Sequence, residues 1–92
     1  MQRQAAEDIA REALIWLAAE PGRMARFLAE TGAAPASLGG LARDPGFLGA
    51  VLDFVLADEA RLLAFAAACG IAPDAPARAR RAMPGGDLPH WT

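Results

Sequence analysis

Residues 44–56 have the sequence DPGFLGAVLDFVL, and this segment indicates how the rest of the chain is arranged. Asp44 is a favourable N-cap and Pro45 suits the first turn of a helix. Within the segment 47–56 that follows, only Asp53 carries a charge. A helix that is apolar on almost every side is surrounded by other elements of the protein. The sequence therefore predicts a central helix at about 45–57, against which the rest of the chain packs.

The flanking segments are also predicted to be helical, because their apolar residues recur at spacings of three and four and proline or glycine separates them. No stretch alternates between apolar and polar residues as a half-buried strand does. The fold prediction is therefore all-α, a compact bundle of five or six short helices in a single domain over residues 1–84, followed by a C-terminal tail over 85–92. The further helices are expected at about 6–19, 21–31, 35–42, 58–69 and 74–83.

The inner faces of these helices identify the expected core. Phe27, Leu52 and Phe65 are apolar residues on predicted inner faces, and we expect them to be almost fully buried. Leu62 and Leu63 are predicted to face inward on the helix at 58–69. Asp53 is expected either to mark the solvent side of the central helix or to pair with an arginine of another helix.

An offset of 38 residues aligns one half of the chain with the other. Trp16 is then opposite Phe54, and Pro21 is opposite Glu59. The pattern predicts an internal duplication of a helix-turn-helix-type unit and a break in the chain near Asp58. The identities outside alanine include Leu14/Leu52, Arg23/Arg61, Phe27/Phe65, Gly32/Gly70 and Pro35/Pro73.

Length and composition limit the class of protein. The chain has 92 residues, of which 54% are hydrophobic and 22% charged, and this balance excludes intrinsic disorder. Its apolar runs are shorter than the roughly 18 residues that a membrane-spanning helix needs, and no leader peptide is recognised. Cys69 is the only cysteine, so no internal disulfide forms. We expect a cytoplasmic protein without a membrane segment.

The residues that could support chemistry are few. Ser37 and His90 are the only serine and histidine, and His90 falls in the predicted tail. A metal site needs histidines or cysteines at ligand spacing, or a run of carboxylates, and neither pattern is present. The acidic pairs 7–8 and 58–59 are predicted at helix N-termini, where they favour the helix dipole. We therefore expect no catalytic residues, no metal, no cofactor and no enzymatic activity.

Surplus aromatic residues suggest a protein-interaction or regulatory module. So small a core cannot easily bury all of its large aromatic rings, and exposed aromatic area commonly marks an interface. The partner is an unknown protein or a second copy of the chain. Alternatively, Trp16 and Phe54 pack together across the pseudo-twofold axis. The candidate interaction residues are Trp16, Phe54, Leu88, His90 and Trp91.

The alternative function is that of a nucleic-acid-binding domain of the helix-turn-helix type. Arg78, Arg80 and Arg81 lie on the last predicted helix, but Arg80 points away from the other two. The net charge of −2 does not attract nucleic acid or an anionic membrane surface. We expect no membrane partner, and a nucleic-acid partner is the less favoured hypothesis.

Three segments carry a resemblance to a known family: FLGAVLDFVLADE at 47–59, FAAACG at 65–70 and MPGGDLPHWT at 83–92. The chain resembles a small bacterial family of domains of unknown function, number three-five-seven-two, typical of alphaproteobacteria. The segment LADEA at 56–60 is its most specific part. The resemblance implies a short, all-helical cytosolic protein and implies no activity and no functional residues.

Overall fold

The computed structural model describes residues 1–32, 40 and 42–83, and this part of the chain contains helices and no strand. The all-α prediction is confirmed. The predicted helix at 35–42 lies mostly outside the described residues, and the predicted tail at 85–92 lies entirely outside them. The five described helices are α1 (Arg3–Ala18), α2 (Pro21–Thr31), α3 (Pro45–Leu56), α4 (Glu59–Cys69) and α5 (Ala75–Arg81).

Helix α3 is the central element, as predicted. It packs against α1, α2, α4 and α5. Its N-terminus forms as the sequence indicates, because the Asp44 side chain accepts a hydrogen bond from the backbone N–H of Gly46 at 2.9 Å and Pro45 occupies the first turn. None of the described helices is both long and apolar enough to cross a membrane. The fully buried side chains of α3 are Leu48, Val51, Leu52 and Val55.

The predicted break between α3 and α4 is confirmed. Helix α3 ends at Leu56 and α4 begins at Glu59. Asp58 caps α4, because its side chain accepts a hydrogen bond from the backbone N–H of Arg61 at 3.0 Å. The chain therefore forms two helical hairpins, which we call the first hairpin (α1 and α2) and the second hairpin (α3 and α4).

The core contains Phe27, Leu52 and Phe65, each 0% exposed, and their predicted burial is confirmed. The prediction that Leu63 faces inward was wrong, since its side chain is 47% exposed. Two residues span about 200° around a helix at 3.6 residues per turn, so Leu63 and Phe65 cannot share a face. Phe65 takes the inner face of α4, and Leu62 is half-buried beside it.

The two hairpins make equivalent aromatic contacts. Trp16 of the first hairpin packs on Phe65 of the second with ring centroids 5.6 Å apart, and Phe54 of the second packs on Phe27 of the first at 5.3 Å. The 38-residue offset exchanges these two pairs. α2 and α4 also both end at a glycine with positive φ, where residues with a side chain are disfavoured. The contacts of the hairpins thus follow a pseudo-twofold relation, whereas their origin by duplication stays a prediction.

Candidate binding site between the two helical hairpins

An open cleft of about 490 Å³ lies where the two hairpins meet. Nine of the described residues line it, and eight of these form pairs at the 38-residue offset. The cleft therefore lies on the pseudo-twofold axis, and we call it the axial cleft. Its lining consists of the pairs Trp16/Phe54, Gly22/Ala60, Arg23/Arg61 and Arg26/Ala64, together with Glu20.

Arg23 closes the first hairpin. Its guanidinium carbon lies 3.9 Å from the centroid of the Trp16 ring, and its Nη2 donates a hydrogen bond to the Trp16 carbonyl at 3.1 Å. That carbonyl belongs to the last turn of α1, where carbonyl groups have no partner within the helix and where the helix dipole favours a cation. Stacking on the indole adds a cation–π attraction. The Arg23 side chain is therefore held on two sides by α1.

Arg61 makes the same pair of contacts in the second hairpin. Its guanidinium carbon lies 3.7 Å from the centroid of the Phe54 ring, and its Nη1 donates a hydrogen bond to the Phe54 carbonyl in the last turn of α3. In both hairpins the arginine follows the aromatic residue by seven positions. The two guanidinium groups are thus held in equivalent places on either side of the axial cleft.

These two arginines have no carboxylate partner among the described residues. Within the described ranges 1–32, 40 and 42–83, neither Arg23 nor Arg61 takes part in an ion pair, although both are half-buried. The Nε atom of Arg23 is buried and has no hydrogen-bond partner there. A buried donor without an acceptor and a partly buried charge without a counter-charge both destabilise the folded protein. The axial cleft is therefore a place where an anionic group would be stabilised.

Acidic groups border the axial cleft without pairing with these two guanidinium groups. Glu20 is part of the lining, and Asp58 is engaged as the cap of α4. The hydrogen bond from the Arg61 backbone is the main reason that the pKa of Asp58 lies below its usual value, and the positive charges of Arg61 and Arg26 lower it further. Arg26 itself pairs with Glu30 at 3.2 Å.

The structure brings together two of the predicted interaction residues. Trp16 is half-buried and Phe54 is only 6% exposed, and both line the axial cleft. Each ring packs on a phenylalanine of the opposite hairpin, as described above. The other predicted interaction residues, Leu88, His90 and Trp91, lie outside the described residues.

The sequence alone does not indicate a site at the axial-cleft arginines. Arg23 and Arg61 appear in it only as a matched pair of the 38-residue offset. The available signal was the repeated spacing of seven residues from an aromatic side chain to an arginine, which appears as Trp16 to Arg23 and as Phe54 to Arg61. Arg26 gave no such signal, since the equivalent residue is Ala64.

A second cleft of about 400 Å³ lies between α1 and α4 and includes Asp8, Glu12 and Cys69. Burial raises the pKa of the Cys69 thiol, and the negative charge of Glu12 raises it further. The thiol is therefore neutral at pH 7 and is a poor nucleophile in that state. In the part of the chain that the structure describes, no group of three or more His, Cys, Asp or Glu residues could hold a metal ion.

Two arginines of α5, Arg78 and Arg80, have acidic partners among the described residues. Nε of Arg80 lies 2.7 Å from Oδ1 of Asp53, and Nε of Arg78 lies 3.6 Å from Oδ2 of Asp74. Arg81 is exposed. The pairing of Asp53 with an arginine from another helix was one of the two alternatives drawn from the sequence, and it is confirmed.

Comparison with known proteins identifies the family. Neither the curated proteins nor the solved structures provide a match to the chain. The family model described as "Protein of unknown function (DUF3572)" matches residues 3–86. The chain therefore belongs to this family of proteins of unknown function.

Proposed function

We propose that this protein is a non-catalytic protein-interaction module of the cytoplasm and that the axial cleft is its binding surface. The observation that carries the proposal is the pair of half-buried arginines, Arg23 and Arg61, which face one open cleft without a carboxylate partner among the described residues. Tryptophan and arginine are enriched among the residues that dominate binding energy at protein interfaces. The wall formed by Trp16 and the two guanidinium groups has that composition.

The chemistry of the axial cleft supports binding more than catalysis. Arginine stays protonated at physiological pH, so Arg23 and Arg61 can hold an anion but cannot accept a proton from a substrate. Among the described residues that line the cleft, Glu20 is the only one with a carboxylate. A general acid–base pair or an activated nucleophile requires a second group of suitable pKa close by.

The nucleic-acid alternative has less support. Arg78 and Arg80 are paired with carboxylates, and Arg80 is directed toward α3 by Asp53. Phosphate contacts on nucleic acid require several cations directed at one strand or groove. The interaction hypothesis therefore remains the better account of the arginines in this structure.

The proposal is tested by affinity capture from nuclease-treated cytosol of the source organism. Ala64→Glu places a carboxylate in the axial cleft, whereas Ala67→Glu makes the same change at an exposed position of α4 outside the cleft. Proteins bound specifically through the cleft should be captured by the wild type and by Ala67→Glu, and lost with Ala64→Glu. Identical capture by the two variants would contradict the proposal, as would loss of all partners after nuclease treatment.

A further inference from the structure

We infer that the axial cleft recognises an acidic segment of the partner protein, with one aspartate or glutamate carboxylate at Arg23 and another at Arg61. This inference rests on the proposed function and names the chemistry of the partner. Each guanidinium group has five N–H donors. One donor of Arg23 reaches the Trp16 carbonyl and one of Arg61 reaches the Phe54 carbonyl. Nε of Arg23 is buried, whereas both side chains form part of the lining of the open cleft. Neither guanidinium group makes a further hydrogen bond to the described residues.

The two guanidinium groups are already held in place. Each lies on an aromatic ring and on the end of a helix, so binding of an anion costs little side-chain entropy. A carboxylate has two coplanar oxygen atoms, which match the planar donor fork of arginine and can form two parallel hydrogen bonds. Because each arginine is fixed in its own hairpin, we expect each to hold a separate carboxylate.

The arrangement of charges around the axial cleft suits two separate carboxylates. Glu20 lines the cleft, and Asp58 lies close enough to Arg61 and Arg26 for their charges to act on it. These carboxylates offset part of the attraction that the arginines exert on an anion. Two carboxylates place one negative charge at each guanidinium group, whereas a phosphate places nearly two negative charges at a single point. The net charge of −2 for the whole chain acts in the same direction against a polyanion.

The axial cleft also has an apolar component. The half-buried ring of Trp16 and the methyl groups of Ala60 and Ala64 form part of its lining. A partner segment that places an apolar side chain beside its carboxylates would cover this surface and strengthen the ion pairs by excluding water. The expected ligand is therefore a short segment in which acidic and apolar residues are neighbours.

The test uses the fluorescence of Trp16 in the full-length Trp91→Phe variant, in which Trp16 is the only tryptophan. The probes are peptides with acetylated N-termini and amidated C-termini that carry a leucine between two glutamates. The two glutamates are separated by two to five positions. A matching set of peptides has glutamine in place of both glutamates. At least one glutamate peptide should change the Trp16 emission. The matching glutamine peptide should bind about 10-fold more weakly or worse, because a lost charged hydrogen bond corresponds to that factor.

Arg26→Gln and Arg78→Gln form a matched pair of variants. Both arginines pair with an acidic residue four positions away in the chain, but of the two only Arg26 lines the axial cleft. Arg26→Gln should weaken the binding of the tightest glutamate peptide about threefold or more, and Arg78→Gln should leave its affinity unchanged. Arg23→Gln and Arg61→Gln should each weaken it about 10-fold, with circular dichroism to show that the variant is folded. If these two variants unfold, the comparison of Arg26→Gln with Arg78→Gln still tests whether the glutamate peptide binds in the axial cleft.

Several results would overturn the inference. They are equal binding of glutamate and glutamine peptides, equal effects of Arg26→Gln and Arg78→Gln, and tighter binding of inorganic phosphate or of a short DNA than of any glutamate peptide. If the protein self-associates and Arg26→Gln abolishes the association, the cleft binds a second copy of the chain.

The capture experiment separates this inference from the proposed function. If Ala64→Glu abolishes capture but no glutamate peptide binds, only this inference is overturned. Capture that is indifferent to Ala64→Glu would overturn the proposed function.

Discussion

In both hairpins an arginine of the second helix contacts an aromatic residue of the first helix, yet the hairpins differ at the start of their second helix. Asp58 caps α4 with its side chain, whereas Glu20, at the equivalent position before α2, makes no side-chain cap. Glutamate is not among the residues that favour the N-cap. The second hairpin therefore satisfies its own helix end, while the N-terminus of α2 presents uncapped N–H groups beside Arg23.

The hairpins differ again in how the outer face of their first helix is used. Asp53 on α3 pairs with Arg80 of α5, whereas the equivalent residue of α1, Ile15, is 63% exposed. Gly49 leaves space for this pair, because a Cβ atom there would lie 3.2 Å from Cζ of Arg80. α5 is thus tied to the second hairpin by a specific ion pair. A repeated framework can therefore carry different surfaces on its two halves.

Two substitutions in the core test whether the two hairpins are equivalent, and they should change the stability most. Phe27→Ala and Phe65→Ala should each lower the free energy of unfolding by about 3 to 5 kcal/mol, because both rings are fully buried and each packs on an aromatic ring of the other hairpin. Urea denaturation followed by circular dichroism measures the change. Leu63→Ala is the control and should change it by about 0.5 kcal/mol or less, since Leu63 is exposed. A small effect for one phenylalanine would break the equivalence.

The next prediction compares how much Arg61 and Arg23 each stabilise the fold. Arg61→Gln should lower the free energy of unfolding by about 1 to 2 kcal/mol, through loss of the hydrogen bond to Phe54 and of the stacking on its ring. Arg23→Gln should cost less, because it also removes the buried Nε that lacks a partner. Chemical denaturation of both variants tests which of them loses more free energy of unfolding. Equal or reversed costs would show that the unsatisfied Nε has no energetic consequence.

The parts of the fold that the sequence predicts are those set by neighbouring residues. The apolar segment at 47–56 identified the central helix, and Asp44 with Pro45 identified its start. The contacts at the axial cleft depend on tertiary structure instead. Arg23 and Arg61 each bind the carbonyl group and the ring of an aromatic residue seven positions earlier, and this spacing is a local signal, but it does not show that the two arginines meet at one cleft. The partner of Asp53 lies 27 residues away, so several arginines were possible.

A smaller effect concerns the ion pair that distinguishes α3 from α1. Asp53→Asn should lower the free energy of unfolding by about 0.5 to 1 kcal/mol, because the carboxylate is partly exposed while Arg80 is mostly covered. Thermal denaturation at low and high salt measures this difference, which should shrink as salt screens the pair. Ile15→Asn is the matched substitution in the first hairpin and should show no such salt dependence. The same salt dependence in both variants would contradict a specific role for the pair.

The smallest expected effect concerns the two helix starts and depends on pH. Asp58→Ala should lower the melting temperature at pH 7, whereas Glu20→Ala should leave it nearly unchanged, because only Asp58 caps its helix. The folded protein lowers the pKa of Asp58, so its carboxylate stabilises the fold above the ordinary aspartate pKa, and this contribution is lost as the pH falls through the lowered value. The difference between the wild type and Asp58→Ala should therefore be largest near neutral pH and shrink in acid. Asp58→Asn is the control, since asparagine is also a favourable N-cap. It should retain more of the melting temperature than Asp58→Ala, and a pH-independent loss in Asp58→Ala would show that the carboxylate charge does not stabilise α4.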